Sequence, residues 1–170
     1  MFQYALTGTF FLCLISVVSA NNLTKDHNSS NPSYSTTAKK AYDLVFDLRL
    51  KEARKYIERL KEHEPDNMLA YHIENISDFL ILFINEDPKK YDQFKDDIDD
   101  RLDAIEESDA SDPLYLYLQA EIELQGAIIH LKFGHYFKSF LSVRSSYKKL
   151  EENQSRFPDR EAGRSVHCPG

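Results

Sequence analysis

The 170-residue chain is poor in the residues on which most enzymatic and metal chemistry depends. It has no tryptophan, two cysteines and only five glycines, and no glycine-rich phosphate-binding loop is present. No serine lies in a G-x-S-x-G motif, and none of the six histidines belongs to an H-E-x-x-H pair. The sequence therefore predicts no catalytic residue, no cofactor and no metal ligand.

The two cysteines exclude an internal disulfide framework. Cys13 lies in a segment that we expect to be removed, and Cys168 stands two residues before the last position of the sequence. An exported chain with one cysteine can pair it only with another chain, or leave it as a free tail residue without a role. Both alternatives stay open.

The chain also has fewer basic than acidic residues. The chain has 21 Lys and Arg against 28 Asp and Glu, which gives a formal net charge of −7. This balance argues against nucleic acid as a partner, because such binding depends on basic contacts to phosphate. It argues equally against an anionic membrane surface. The charge does not determine the oligomeric state.

Residues 1–20 have the residue pattern of an export signal. They carry an apolar run from Phe10 to Val18 and end in small residues suited to cleavage before Asn21, although basic residues are missing near the start. The run is shorter than the ~20 residues that a spanning helix needs. We predict an exported protein, periplasmic or secreted, without membrane insertion after cleavage. Residues 21–36 are rich in Asn and Ser and predict a disordered linker.

Apolar residues at spacings of three and four predict an all-α domain over residues 37–159. Two short helices lie within 38–67, and longer ones follow at 67–84, 88–105, 114–133 and 136–156. Proline ends the second helix at Pro65 and the last at Pro158, each followed by aspartate. We expect about three antiparallel helix hairpins. Apolar stripes are predicted on the first helix by Ala41, Leu44, Val45 and Leu48, and on the last by Phe137, Phe140, Leu141, Tyr147 and Leu150.

The second helix carries a spacing typical of one repeat family. The positions that match are Ala53, Ile57, Leu60 and Pro65 followed by Asp66-Asn67, with Ala41 and Leu44 fitting the first helix. This unit resembles a tetratricopeptide repeat (TPR). It departs from the family at Leu60, where alanine is preferred, and in its lack of tryptophan and of the usual glycine. The resemblance implies an α-solenoid with a concave surface that binds a protein or peptide.

Aromatic residues on every helix favour such a surface. Tyr42 and Phe46 lie four positions apart and off the main stripe of the first helix, and we predict that they bind a partner, together with Tyr115 and Glu123 on the fifth helix. The alternative is that the tyrosines are core or rim residues with a hydroxyl at the edge. The predicted function is a non-catalytic protein-binding or scaffold module.

The acidic stretch from Asp96 to Asp100 formally contains a D-D-x-x-D motif, which holds magnesium in helical isoprenoid synthases. Here it lies opposite the apolar residues Phe94 and Leu102, so we interpret it as a solvated helix face. A weak surface calcium site at Asp96, Asp99, Asp100 and Asp103 would lack the glycine-turned loop of a dedicated site. A metal-dependent enzyme with an unrecognised site is one alternative function. The other is the N-terminal fragment of a longer array, because residues 160–170 form an irregular tail and no polar helix caps the array.

Overall fold

The computed structural model describes residues 35–158, in which all regular secondary structure is helical. The six helices are α1 (Thr36–Phe46), α2 (Leu50–His63), α3 (Met68–Asn85), α4 (Pro88–Glu106), α5 (Leu114–Lys132) and α6 (Tyr136–Arg156). The predicted all-α class is confirmed. The predicted signal segment and tail lie outside the described residues, as does the linker up to residue 34, whereas its last residue, Thr36, begins α1.

Short polar signals place the helix ends. The side chains of Ser35, Asn67 and Asp87 each accept a hydrogen bond from a backbone N–H of the helix that follows. Pro88 occupies the first position of α4, where its missing N–H costs nothing. Gly134 ends the fifth helix at a φ of 81°, a conformation that glycine adopts without strain. These local signals explain why the predicted and observed boundaries agree to within a few residues.

The core forms around α3 and α5. Helix α3 packs against α1, α2, α4 and α5, and α5 packs against α3, α4 and α6. The large aliphatic side chains that are fully buried come from five helices: Leu44, Val45, Leu60, Leu69, Ile73, Leu82, Ile105, Leu118, Ile122 and Ile129. Each contributes roughly 1.5–3 kcal/mol by leaving water. The apolar core therefore fixes how α1, α3 and α5 face one another.

One residue of the stripe predicted on the first helix is not in the core. Leu48 lies beyond the end of α1, is 58% exposed and has a φ of 58°. The prediction that it belongs to the apolar stripe of the first helix was wrong. The helix ends at Phe46, and the chain passes through a left-handed conformation at Leu48 to enter α2.

Helix α6 packs differently from the other five. Only Ser139 and Ser146 are buried on it, and the Ser146 hydroxyl donates a 2.7 Å hydrogen bond to the carbonyl of Ala120 on α5. Small side chains let α5 and α6 approach closely. Of the predicted apolar stripe of α6, Phe137, Phe140 and Tyr147 are 61–74% exposed, whereas Leu141 lines a groove with residues of α4 and α5. No helix among residues 35–158 combines the length and the apolar character that crossing a bilayer requires.

Candidate functional site

Four polar side chains from α1, α3 and α5 make a continuous series of contacts, which we call the polar bridge. The hydroxyl of Tyr42 lies 2.6 Å from Nδ1 of His72. On the other side of the ring, His72 Nε2 lies 2.9 Å from Oε2 of Glu121. The hydroxyl of Tyr117 donates to Oε1 of Glu121 at 2.5 Å. Residues as far apart in sequence as Tyr42 and Glu121 thus form one polar unit.

Helix geometry explains this assembly. Tyr117 and Glu121 are four residues apart on α5 and therefore share one side of that helix. His72 is only 2% exposed and sits on α3, which packs against both α1 and α5. Tyr42 completes the series from α1. The bridge is buried in its middle, while Tyr42, Tyr117 and Glu121 keep part of their surface in solvent.

The charge of the bridge resides on Glu121. Burial opposes ionisation of this carboxyl group, but the hydrogen bond and charge of His72 and the hydroxyl of Tyr117 outweigh it. They hold the pKa of Glu121 below its ordinary value. The bridge thus presents an ionised carboxylate with two tyrosine hydroxyls at fixed positions.

Aromatic rings lie on the same sides of α1 and α3 as the bridge residues Tyr42 and His72. The rings of Tyr42 and Phe46 stack at 6.1 Å with an angle of 8°, and Phe46 is 52% exposed. Phe79 and Phe83 follow His72 by seven and eleven positions, so they share its side of α3. Their rings lie 5.6 Å apart. We call the surface formed by the polar bridge with Phe46, Phe79 and Phe83 the α1/α3/α5 face.

The structure separates the four residues predicted to bind a partner into two pairs. Tyr42 and Phe46 belong to the α1/α3/α5 face. Tyr115 and Glu123 each lie two positions from a bridge residue on α5, which turns them by about 200° around the helix axis. Tyr115 is half-buried, and its hydroxyl lies 3.5 Å from the carbonyl of Glu106. The partner-binding role of all four stays a prediction.

The carboxylate of Glu123 is engaged within the chain. Its Oε1 accepts hydrogen bonds from the Ser145 hydroxyl at 2.9 Å and from Lys149 Nζ at 2.7 Å. Its side chain is only 12% exposed. In this structure Glu123 ties α6 to α5.

Three bridge residues were not predicted as site residues. The sequence distinguishes His72 in no way from the other five histidines, and the structure buries it. Tyr117 and Glu121 have a detectable signal, because a tyrosine four positions before a glutamate on a helix can reach its carboxylate. That spacing occurs often on helices and becomes informative only when another helix places a histidine beside the carboxylate.

A second polar cluster lies between α2, α3 and α4. Arg101 is 5% exposed and donates to Glu74 at 3.1 Å, to Asn75 at 2.9 Å and, over a shorter distance, to Asp78. Lys61 donates to Glu74 at 2.6 Å. The charged members Lys61, Glu74, Asp78 and Arg101 line a groove of about 470 Å³. Each buried charge has an opposite charge beside it, which is the arrangement that low-polarity surroundings demand.

The acidic stretch of α4 borders this groove. Asp96, Asp99 and Asp100 are exposed, and Asp97 is half-buried with its pKa raised by burial. Within residues 35–158 no group of three or more His, Cys, Asp and Glu side chains has the arrangement of a metal site. The described part of the chain thus brings together no ligand set at Asp96, Asp99, Asp100 and Asp103.

No known protein family, no curated protein and no solved structure matches this chain significantly.

Proposed function

We propose that this protein is an exported, non-catalytic module of TPR-like type that binds a protein or peptide segment. The six helices of residues 35–158 form three antiparallel pairs, α1 with α2, α3 with α4 and α5 with α6, stacked as a short α-solenoid. Connections of two to seven residues between helices favour antiparallel neighbours. Packing of α1 on α3 and of α3 on α5 supports the stacking of successive pairs.

The binding surface in this proposal is the α1/α3/α5 face. The observation that carries it is the polar bridge, which fixes two half-exposed tyrosines beside an exposed phenylalanine. Side chains held by buried partners lose little rotamer freedom on binding, which favours recognition of a specific segment. Phe46 and the rings of α3 offer apolar contacts, and the ionised Glu121 offers an acceptor. The preferred ligand is a segment that carries an apolar residue next to a hydrogen-bond donor or a basic side chain.

A peptide library provides the test. The chain is immobilised and used to select binders from a displayed library of random peptides, and the selected peptides are titrated against variants by fluorescence anisotropy. We expect Phe46→Ala to weaken binding by roughly tenfold or more, the effect of losing an interface anchor. Glu121→Gln should lower the affinity most for peptides that carry a basic residue.

Matched controls come from the rest of the chain. Leu48→Ala removes an exposed apolar side chain close in sequence to Phe46, and Tyr115→Phe removes a hydroxyl on the opposite flank of α5. Both should bind peptides as the unchanged chain does. Selected peptides that bind equally well to Phe46→Ala and Glu121→Gln would contradict the proposed face. Loss of binding in Tyr115→Phe or Glu123→Gln would instead move the site to the other flank of α5.

Export is tested separately. The product released by an expressing cell is purified and its intact mass is measured, and the proposal expects a chain that begins at Asn21. A cell-associated product that retains residues 1–20 would contradict it.

A further inference from the structure

Helix α6 carries a large apolar patch that the described residues leave uncovered. The patch, which we call the α6 face, comprises Tyr136, Phe137, Phe140, Val143, Tyr147 and Leu150, exposed between 39% and 74%. At about 150–250 Å² for an aromatic side chain, their exposed parts amount to roughly 700 Å². The largest apolar patch of a typical monomer is about 300–600 Å². The α6 face exceeds that range and approaches the ~800 Å² that one partner buries in a standard interface.

The spacing of the α6 face fits another helix. Tyr136, Phe140, Val143, Tyr147 and Leu150 follow one another by steps of four, three, four and three, which is the 3.5-residue repeat of helices that pair lengthwise. Elsewhere in the chain, α2 is covered by α3, and α4 is covered by α5. Helix α6 follows the same order but has no seventh helix after it among residues 35–158. Its outer face therefore has the form of a helix-packing surface.

The α1 helix of another copy would not cover this face. Its solvent-facing positions include Lys39, Lys40 and Asp43, all exposed and charged. Burying the α6 face against them would leave charges without partners, at a high cost. A head-to-tail stack of copies is thus disfavoured.

We propose that the occupant is the α6 face of a second copy, packed antiparallel across a two-fold axis. Two such faces bury roughly 1,400 Å² together, within the ~1,200–2,000 Å² of stable interfaces. A two-fold interface places the same patch on both subunits, so one apolar helix face serves both sides. This inference does not depend on the proposed peptide-binding function.

The charges at the edge of α6 define the pairing. Arg144 and Glu151 are both exposed and lie three residues before and four residues after Tyr147. In an antiparallel pair with the axis beside Tyr147, each Arg144 lies opposite Glu151 of the second copy. Flanking opposite charges of this kind set orientation and register in paired helices. The arrangement forms two equivalent ion pairs in the dimer.

The chain outside the described residues offers one competing occupant. Residues 21–34 and 159–170 are polar, and the latter contain a single aliphatic side chain larger than alanine, Val166. Residues 1–20 are apolar and could cover the α6 face if they were retained. The test therefore compares the full chain with a variant that lacks them.

Mass in solution is the first measurement. The full chain is analysed by sedimentation velocity and light scattering up to about 100 µM, with reductant present so that Cys168 forms no bond between chains. We expect a dimer, and Phe140→Glu should weaken it by at least about 30-fold, as at an interface hot spot. Ile84→Glu is the matched control, because Ile84 is 60% exposed but lies on α3. Circular dichroism verifies that both variants fold.

A charge exchange tests the pairing itself. Arg144→Glu and Glu151→Arg should each weaken the dimer about tenfold, because each places like charges opposite one another. The double variant restores the pairs with their signs reversed and should recover the original dissociation constant. A dimer that the double variant does not recover would overturn the antiparallel arrangement.

Other occupants give different outcomes, each of which overturns the proposal. A chain that lacks residues 1–20 and is monomeric at about 100 µM overturns it outright. If the monomer sediments with phosphatidylglycerol vesicles and Phe140→Glu does not, the face binds lipid.

Discussion

Arg101→Met is the perturbation whose cost follows most directly from the structure. The guanidinium of Arg101 is the buried link between Glu74, Asn75 and Asp78, and methionine can fill its volume but cannot donate. Removing one partner of a buried ion pair costs about 3–5 kcal/mol, because the charge left behind is desolvated and unpaired. Here Glu74 retains Lys61 at 2.6 Å, and both carboxylates are about one-fifth exposed. We therefore expect a loss near the lower limit, about 3 kcal/mol.

Thermal and urea unfolding followed by circular dichroism at 222 nm measure this cost. For a domain of this size, about 3 kcal/mol lowers the Tm by roughly 10 °C. The control is Arg54→Met, since Arg54 contacts Asp78 at 3.2 Å but is 53% exposed, and an exposed pair is worth less than about 1 kcal/mol. Equal losses for the two variants, or a loss below 1 kcal/mol for Arg101→Met, would refute the reasoning that burial makes Arg101 critical.

The pH dependence of the same variant supplies an independent test. Burial opposes ionisation of Glu74, but Lys61 and Arg101 outweigh it and hold its pKa below the ordinary 4.5. A depressed pKa contributes stability above the unfolded value, and this contribution is lost as the pH falls through the folded pKa. The gap in unfolding free energy between the unchanged chain and Arg101→Met should thus narrow below about pH 4.5. A constant gap would show that lost packing, and not an unpaired charge, causes the loss.

Three further changes test local features of the fold. Leu48→Gly should raise the free energy of unfolding by about 0.5 kcal/mol, because glycine relieves the strain of the left-handed backbone and little buried surface is lost. Urea unfolding measures this change, and a lower urea midpoint would contradict the prediction. Gly126→Ala should leave the free energy of unfolding nearly unchanged, because a gain of about 1 kcal/mol in helix propensity offsets the displacement of Ile98 Cδ1, which lies 2.9 Å from the new methyl group. Gly126→Leu should lower the free energy of unfolding by about 1–3 kcal/mol. Equal melting curves for the two variants would disprove the close contact. Burial, and then the charge of Lys138, lower the pKa of His130, so the free energy of unfolding should fall as the pH is lowered from 7 to 5. In urea titrations at several pH values, His130→Gln should make this pH dependence weaker. An unchanged pH dependence would assign it to another group.

Helix existence and helix ends could be predicted because their signals are local. Asp87 followed by Pro88 specifies a start within two residues, and Pro65 specifies a stop, whatever the rest of the chain does. Leu48 shows the limit of this approach. Its spacing fits the apolar stripe of the first helix, but the connection to α2 uses a backbone conformation that apolar periodicity does not report.

The candidate site depended on information that the sequence pattern does not contain. Tyr42 and His72 are 30 residues apart in sequence, and Glu121 lies still further along the chain. Their contact is determined by the rotation and axial shift of α1, α3 and α5, and these follow from the packing of buried aliphatic side chains. A change of one residue in phase turns a side chain by about 100° around its helix, enough to remove it from the bridge. For the same reason Tyr115 and Glu123, close to the bridge in sequence, lie on the other flank of α5.

The two surfaces proposed for partners differ in what fixes their side chains. On the α1/α3/α5 face the Tyr42 hydroxyl contacts a buried histidine and its ring stacks on Phe46, so its orientation is fixed before a ligand arrives. Such preorganised polar groups discriminate between ligands by direction, because a ligand that leaves them unpaired loses free energy. The α6 face instead presents extended apolar area, and the hydrophobic effect that would bury it is non-directional. Directional groups suit the recognition of a particular segment, whereas an apolar helix stripe with two flanking charges suits a symmetric contact with itself.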